Sequence, residues 1–320
     1  MDKPIIIGAA GYPSIDRILR LGAPAEVGKT SVIANDDYNT PSYGGCCVNI
    51  CYVLARLGVE AMPFMNVGED FSSSGYRAFL QAPRLSLAAT KVVPGVNTSS
   101  SLLLEDPAGD HVTLFYEGAM RGELAVFDRQ DAVERISLGV VTVGSLAYNT
   151  GFLRALLDQG KEAAFSMKFD PHAFPEPQLR EFLQSSAYIF MNESEAANIC
   201  RLLGWQGVEQ LFQTGRQKCV VVTRGKQGCE VFSRDGGRIL SQAVGAARER
   251  RTADHAGVGD AFVAGFLYGV TQGMDYIRCA RLGSVTASFV LEQKGCLNGA
   301  PTLEQVLARE RELLKCQHYI

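Results

Sequence analysis

The sequence predicts an α/β fold in which a doubly wound, mostly parallel sheet is flanked by helices. Short apolar, β-rich runs recur along the chain, and most are followed by a segment whose apolar residues repeat with a period near 3.6. Two of these helical segments are closed by Gly58 and Gly160, and glycine is typical just after a helix C-terminus. One region, 97–120, differs because two strand-like runs flank a turn, which indicates a hairpin.

The elements follow one another in a regular order. The predicted strands are residues 3–11, 60–68, 138–145, 162–171, 187–195 and 218–228. The predicted helices are residues 48–58, 73–81 and 150–160, and one that begins near Gly257. The inserted segments 12–45 and 95–120 are expected to be two antiparallel pieces that form a small sheet beside the main one, a lid on a single domain of residues 1–320. Small or polar residues end the strands, and open parallel sheets bind ligands at those carboxyl ends.

Composition excludes several classes of protein. The net charge is −3, so a nucleic-acid partner is not expected. Nine cysteines occur without a C-x-x-C pair and only four histidines are present, which argues against a zinc site. The N-terminal residues lack a signal-peptide pattern, and no apolar run reaches about 18 residues, so a membrane span is not expected. We therefore expect a cytoplasmic protein with reduced thiols.

The segment 254–269, DHAGVGDAFVAGFLYG, places a carboxylate at the start of an apolar helix. The first N–H groups of a helix lack intrahelical partners and carry partial positive charge, so they form an anion site. Gly257 and Gly259 leave this backbone open to close approach. A carboxylate beside a bound anion is repulsive unless it accepts a proton from an attacking hydroxyl, as phosphoryl transfer requires. The alternative is that Gly257 and Asp260 are ordinary capping residues.

Two motifs far apart in the chain resemble a known pair of signatures. The segments are GGCCVNICYVLARLG (44–58) and DHAGVGDAFVAGF (254–266), and together they resemble the signatures of the ribokinase/pfkB family of carbohydrate and nucleoside kinases. The first keeps Gly44, Gly45, Asn49, Leu54, Ala55, Leu57 and Gly58, with Cys51 in place of alanine. The second keeps Asp254, Gly257, Gly259, Asp260, Phe262, Gly265 and Phe266.

Shorter elements between and before these motifs also resemble the family. NESE (192–195) is similar to its N-x-x-E element, and VVVTRGKQG (220–228) is similar to its T-x-G-x-x-G nucleotide loop. The N-terminal N-x-D element is matched only by Asp16, because Ser14 stands where the family usually has asparagine. With these additions the resemblance extends over nearly the whole chain.

The resemblance implies a role for each matched residue. Asp260 would be the base on the substrate hydroxyl, and the amides of Gly257, Val258 and Gly259 would hold the γ-phosphate. The ligands implied for ATP and its Mg²⁺ are Asn192, Glu195, Thr223, Gly225 and Gly228, with Glu195 as the metal ligand. The ligands implied for the substrate are Asp16, Gly44, Gly45 and Asn49. Each also has a structural alternative, since these residue types are common in caps and turns.

The chain also departs from the family pattern within the second signature and in one element after a predicted strand. His255 and Ala256 replace residues that usually carry a hydroxyl, which leaves the use of a monovalent cation such as K⁺ open. Val258 replaces the commoner alanine, which backbone amides should tolerate. The segment FDPHAF (169–174) stands where the family has a D-x-N-x-R element, and it keeps only Asp170.

The sequence therefore predicts an ATP-dependent kinase that phosphorylates a primary hydroxyl of a small molecule. A small sugar is the favoured substrate because sugar kinases are common in the family. An adenosine-like nucleoside is the alternative, since Tyr12, Phe115 or Tyr116 could line a slot for a base. A non-catalytic ligand-binding protein on the same fold is a second alternative. Homodimerisation through exposed edges of the lid strands is also expected.

Overall fold

The structure is a computed structural model that describes residues 4–168 and 173–317, with the side chains of 316 and 317 left out. Asp170, the one residue kept in its family element, therefore lies outside the described residues. The strands in chain order are β1 (Ile6–Ala10), β2 (Ser14–Arg20), β3 (Ser42–Gly44), β4 (Glu60–Gly68), β5 (Thr90–Val93), β6 (Ser100–Glu105), β7 (His111–Tyr116), β8 (Leu138–Val141), β9 (Glu162–Ser166), β10 (Tyr188–Asn192), β11 (Cys219–Thr223), β12 (Cys229–Asp235) and β13 (Arg238–Val244).

The helices alternate with the strands over most of the chain. They are α1 (Cys46–Arg56), α2 (Tyr76–Phe79), α3 (Gln130–Arg135), α4 (Leu146–Asp158), α5 (Glu176–Ser185), α6 (Glu193–Leu203), α7 (Leu211–Thr214), α8 (Val258–Thr271), α9 (Tyr276–Val290) and α10 (Leu303–Gln317). Short 3-10 turns occupy Glu69–Phe71, Gly118–Met120, Gly122–Leu124, Val208–Gln210 and Gly225–Gln227. The predicted βα alternation is thus present.

Nine of the described strands form the main sheet, in the order β13-β12-β11-β10-β9-β8-β1-β4-β5. The pairs from β11 to β5 are parallel, as predicted. At the other edge β11, β12 and β13 pair antiparallel, so the turn at 224–228 joins two strands of a hairpin. Their exposed outer residues give this edge little apolar periodicity, which is why β12 and β13 were not predicted.

A second, four-stranded sheet has the order β3-β2-β6-β7. The predicted hairpin at 97–120 is present as β6 and β7. Each inserted segment supplies an antiparallel pair, β2 with β3 and β6 with β7, and a parallel pairing of β2 with β6 joins the two pairs into one sheet. The mixed charged and apolar residues of β2 gave no clear strand signal, and its pairing comes from tertiary structure.

Side chains from the main sheet alternate between two apolar layers. Ala9, Val140 and Phe190 face the layer that contains α1, α8 and α9. Ala10 and Val141 face the layer that contains α4 and α5. Burial on both faces explains why these strands are nearly continuous apolar runs. Within the chain as described, no helix is long and apolar enough to cross a bilayer.

Candidate active site

The N-terminus of α8 forms the predicted anion cradle. Gly257 precedes the helix with φ of +75°, and the first intrahelical bond runs from Ala261 N to Gly257 O at 2.9 Å. The amides of Val258, Gly259 and Asp260 therefore precede the hydrogen-bonded ladder and are available to a ligand. A Cβ at Gly257 would lie 2.9 Å from the backbone of Cys296, so no larger residue fits there. The backbone at the start of α8 therefore packs directly against the backbone of Cys296.

Asp260 lies in the first turn of α8 and is partly buried. Its Oδ2 accepts a hydrogen bond of 2.8 Å from Asn49 Nδ2. Burial raises the pKa of this carboxyl from 3.8 to about 6, although the bonds from Asn49 and Cys46 and the charge of Lys168 act in the opposite direction. A carboxylate with this pKa is suited to general-base catalysis near neutral pH.

Asp260 faces a cavity of about 380 Å³ rather than the protein interior. The cavity lies at the carboxyl ends of β9, β10 and β11 and at the start of α8, as expected for a ligand of an open parallel sheet. Five predicted site residues besides Asp260 line it, namely Asn192, Glu195, Thr223, Gly257 and Gly259. The structure thus brings the predicted catalytic and nucleotide residues together.

Asn192 and Glu195 cap helix α6. The backbone N–H of Asn192 donates to Glu195 Oε2, and the backbone N–H of Glu195 donates to Asn192 Oδ1, each at 2.8 Å. This capping box is the structural alternative considered above. Both residues also line the cavity, so capping fixes their side chains at its wall.

A second cavity, of about 220 Å³, lies beside the first. Thr223, His255, Gly259 and Phe262 line both cavities, so the two are neighbours around the start of α8. The second cavity also contains the predicted residues Gly225, Gly228 and Val258, together with the apolar residues Ala246, Ala287 and Leu291. Its apolar wall next to a phosphate cradle is suited to an adenine base.

Gly228 ends the turn between β11 and β12 with φ of +91°. A Cβ at this position would lie 2.0 Å from the carbonyl oxygen of Val244, so the turn requires glycine. The glycine allows the turn to fold closely over the end of β13, beside the second cavity.

The predicted substrate residues form a third group on the other side of Asp260. Asn49 is buried within α1, and its Oδ1 meets no hydrogen-bond donor among the described residues. A Cβ on Gly44 would lie 3.3 Å from that oxygen and 3.7 Å from Asp16 Oδ2, so Gly44 leaves both groups accessible. Asp16 accepts a hydrogen bond from Ser14, and burial raises its pKa. These groups can bind the hydroxyls of a small polar molecule.

Gly45 precedes α1 with φ of +102°. A Cβ there would lie 2.2 Å from the carbonyl oxygen of Tyr12. The two glycines therefore have different roles. Gly44 leaves the side-chain oxygens of Asn49 and Asp16 accessible, and Gly45 allows the chain to turn before α1.

Three residues at this site were not predicted. Lys168 and Cys46 line the larger cavity, and Cys296 packs behind Gly257. Lys168 is the first charged residue after β9, and inspection of strand ends could have identified it. For Cys46, which donates to Asp260, and for Cys296, no sequence signal was available.

We expect the acid limb of the pH profile of kcat/KM to have a midpoint near pH 6. Only the ionised form of Asp260 accepts a proton, and burial raises its pKa to about 6, so activity falls as pH decreases through that value. Asn49→Ala removes a hydrogen bond that lowers this pKa, so the limb should move to higher pH in that variant. A limb near the ordinary aspartate value in the wild type would argue against Asp260 as the base.

The fold and the site together define a class of protein, the small-molecule kinases that hold a phosphoryl group at a helix N-terminus on a doubly wound sheet. The chain belongs to the pfkB family of carbohydrate kinases, whose model matches residues 13–303. It is therefore an ATP-dependent phosphotransferase of the ribokinase family that acts on a nucleoside or a carbohydrate. The alternative of a non-catalytic binding protein is not favoured by these findings.

Similar proteins include kinases from archaea and bacteria. The chain is 27% identical over 304 residues to the nucleoside kinase of Methanothermobacter thermautotrophicus, covering 94% of each protein. The crystal structure of the Methanocaldococcus jannaschii nucleoside kinase superposes with a TM-score of 0.84 at 22% identity, covering 97% of this chain and 99% of that one. The structure of the Burkholderia thailandensis nucleoside kinase in complex with inosine superposes with a TM-score of 0.79 at 23% identity. The match covers 96% of this chain and 98% of that one. The two structural matches show the shared fold.

Proposed function

We propose that the protein transfers the γ-phosphoryl group of ATP to a primary hydroxyl of a sugar unit, with Asp260 as general base. The observation that carries this proposal is the position of the Asp260 carboxylate. It lies between the helix N-terminus, where a phosphate would bind, and the polar group of Asp16, Gly44 and Asn49. A hydroxyl held by that group would be close to both the base and the phosphate. Positioning and amide stabilisation of charge supply the rest of the rate enhancement.

A nucleoside is the favoured carrier of this sugar unit, in place of the free sugar favoured by sequence alone. Asp16, Ser101 and Phe115 are in register across β2, β6 and β7, so their side chains share the face of the small sheet on which Asp16 lies. On that face Phe115 makes an edge contact with Tyr12, with ring centroids 4.9 Å apart. Phe115 is 45% exposed and can therefore still cover an apolar ligand. An aromatic pair next to the sugar-binding group supports binding of a base.

Glu195 and Asn192 fit the chemistry of Mg²⁺. Both present oxygen atoms at the larger cavity, and Mg²⁺ is usually bound by one or two carboxylates together with phosphates and water. Among the described residues no cluster of three metal-ligating side chains occurs, which agrees with a site completed by the nucleotide. When bound, the ion would neutralise charge on the phosphates. The use of K⁺ near His255 and Ala256 stays a prediction.

The small sheet is proposed to be the lid that covers the acceptor. Its strands derive from the inserted segments 12–45 and 95–120, and Asp16 from β2 contributes directly to the acceptor group. Closure would exclude water and limit ATP hydrolysis. Val112 and Leu114 of β7 are exposed apolar residues, which supports homodimerisation through the lid strands. Homodimerisation stays a prediction.

Asp16→Asn is expected to lower kcat/KM for the acceptor by roughly 10- to 150-fold. The carboxylate can accept hydrogen bonds from two substrate hydroxyls, and a hydrogen bond to a charged group contributes about 1.5–3 kcal/mol. KM for ATP should change little, because Asp16 is absent from both cavities assigned to the nucleotide. Steady-state kinetics with each substrate varied in turn will measure this. An equal loss for both substrates would contradict the assignment of Asp16 to the acceptor.

An acceptor panel tests the proposed function. Purified protein is incubated with MgATP and ribose, fructose, inosine, cytidine or adenosine, and both ADP and the phosphorylated product are quantified. We expect ADP formation that depends on a nucleoside and a product phosphorylated on its primary hydroxyl. The matching 5′-deoxynucleoside is the control, since it lacks the reacting oxygen. ADP formation that is independent of every acceptor would refute the proposal.

A further inference from the structure

Lys168 lines the same cavity as the anion cradle and comes from a different element of the fold. It follows β9 by two residues, and the backbone N–H of Met167 donates to Phe190 O at 2.9 Å, which extends the pairing with β10 up to the residue before Lys168. Its side chain lines the larger cavity with Gly257, Gly259 and Asp260. The lysine and the helix N-terminus thus face the same space from different elements.

Among the described residues, no acidic side chain forms an ion pair with Lys168. Among the described lysines, ion pairs involve Lys29, Lys91 and Lys218, and Lys168 is in none of them. Of the described residues that line the cavity, Lys168 is the only lysine or arginine, whereas Asp260 and Glu195 supply negative charge. Its charge also lowers the pKa of both Asp16 and Asp260. Lys168 therefore acts on the residues proposed to bind the acceptor and on the proposed base.

An anion that enters this cavity faces two carboxylates, which repel it. The amides of α8 offset part of this repulsion at one side of the anion. A lysine ammonium is a compact charge on a flexible stem and is a common ligand of phosphate. Lys168 lines the same cavity as the amides and forms no ion pair with a described residue, so its ammonium can contact phosphoryl oxygens that the amides leave open.

We propose that Lys168 is a catalytic residue that binds the phosphoryl group during its transfer, an inference that rests on the proposed function. In that step the acceptor oxygen forms a bond to the γ-phosphorus, and the bond from that phosphorus to the β–γ bridging oxygen breaks to release ADP. The hydroxyl proton passes to Asp260. Negative charge is spread over the transferred oxygens in the transition state, and Lys168 stabilises it there.

Three variants test this role. Lys168→Met removes the charge and keeps most of the stem, and Lys168→Arg keeps the charge. Lys161→Met is the control, because it removes a half-exposed lysine at the opposite end of β9. We expect Lys168→Met to lower kcat by about 10²–10³, the loss typical of one transition-state donor, with KM for the acceptor little changed. The acid limb of its pH profile should also move to higher pH, because the charge that favours ionised Asp260 is lost. Lys168→Arg should restore the position of the limb and part of kcat.

A binding measurement gives a readout that does not depend on turnover. Calorimetry with ADP, aluminium fluoride and the acceptor probes a mimic of the transferred group, and ADP alone is the reference. Lys168→Met should lower the affinity for the complex of ADP and aluminium fluoride by a factor similar to its loss of kcat. Its affinity for ADP alone should be unchanged. Two results would overturn the inference and leave the proposed function intact. One is a Lys168→Met variant with kcat within threefold of wild type and an unmoved acid limb. The other is an equal loss of affinity for ADP alone. Absence of phosphotransfer in the wild type would overturn both.

Discussion

Asp260→Asn is expected to lower turnover by about 10²–10⁴ while the affinities for acceptor and ATP stay close to those of the wild type. The two side chains have nearly the same shape, and the amide oxygen can still accept the hydrogen bond from Asn49. The amide cannot accept the proton of the attacking hydroxyl, so only the chemical step is impaired. Steady-state kinetics will give kcat, and calorimetry will give both affinities.

Asp158→Asn is the matched control for this prediction, because it removes an exposed carboxylate at the end of α4 that lines neither cavity. It should retain wild-type turnover. If Asp260→Asn also retained turnover within a few-fold, Asp260 would not be the base, whatever the affinities showed.

Gly257→Ala is expected to lower both kcat/KM and the thermal unfolding temperature. The residue has φ of +75°, and its new Cβ would lie 2.9 Å from Cys296 Cα, Cβ and O. Either the start of α8 or the loop around Cys296 must move, and displaced amides no longer match the phosphoryl oxygens. The loss of one such donor typically costs about 10²–10³ in rate, which sets the expected decrease.

Gly245→Ala is the control for Gly257→Ala, since a Cβ at that glycine meets no atom within 4 Å. It should change neither the unfolding temperature nor the kinetics. A Gly257→Ala variant with wild-type kinetics would show that the backbone of the cradle is not used for phosphate.

Much of the main sheet was predictable because its strands are buried on both faces. Strand β4 was predicted at 60–68 and is found at Glu60–Gly68, since its apolar run is bounded by polar residues and glycine. Strand β2 was missed because its residues are mostly half-exposed and its conformation is set by pairing with β3 and β6. A local pattern indicates a strand only when burial imposes one on the sequence.

The site divides in the same way. Gly45 and Gly228 were identified from the resemblance to family motifs, and Gly257 from the small residues that precede an apolar helix. The structure shows that all three have positive φ. The bond between Asn49 and Asp260 joins residues 211 positions apart and depends on packing of α1 against α8. Lys168 could have been noted as a charged residue at a strand end, but its position beside these groups depends on the placement of β9 within the sheet and on the direction of one side chain.

A crystal structure with a nucleoside and a non-hydrolysable ATP analogue tests the central geometric claim most directly. The account predicts that the primary hydroxyl lies within hydrogen-bonding distance of the Asp260 carboxylate, and that the terminal phosphate contacts the amides of residues 257–259. The other sugar hydroxyls should contact Asp16 and Asn49. A primary hydroxyl pointing away from Asp260, or a terminal phosphate bound away from the start of α8, would contradict it.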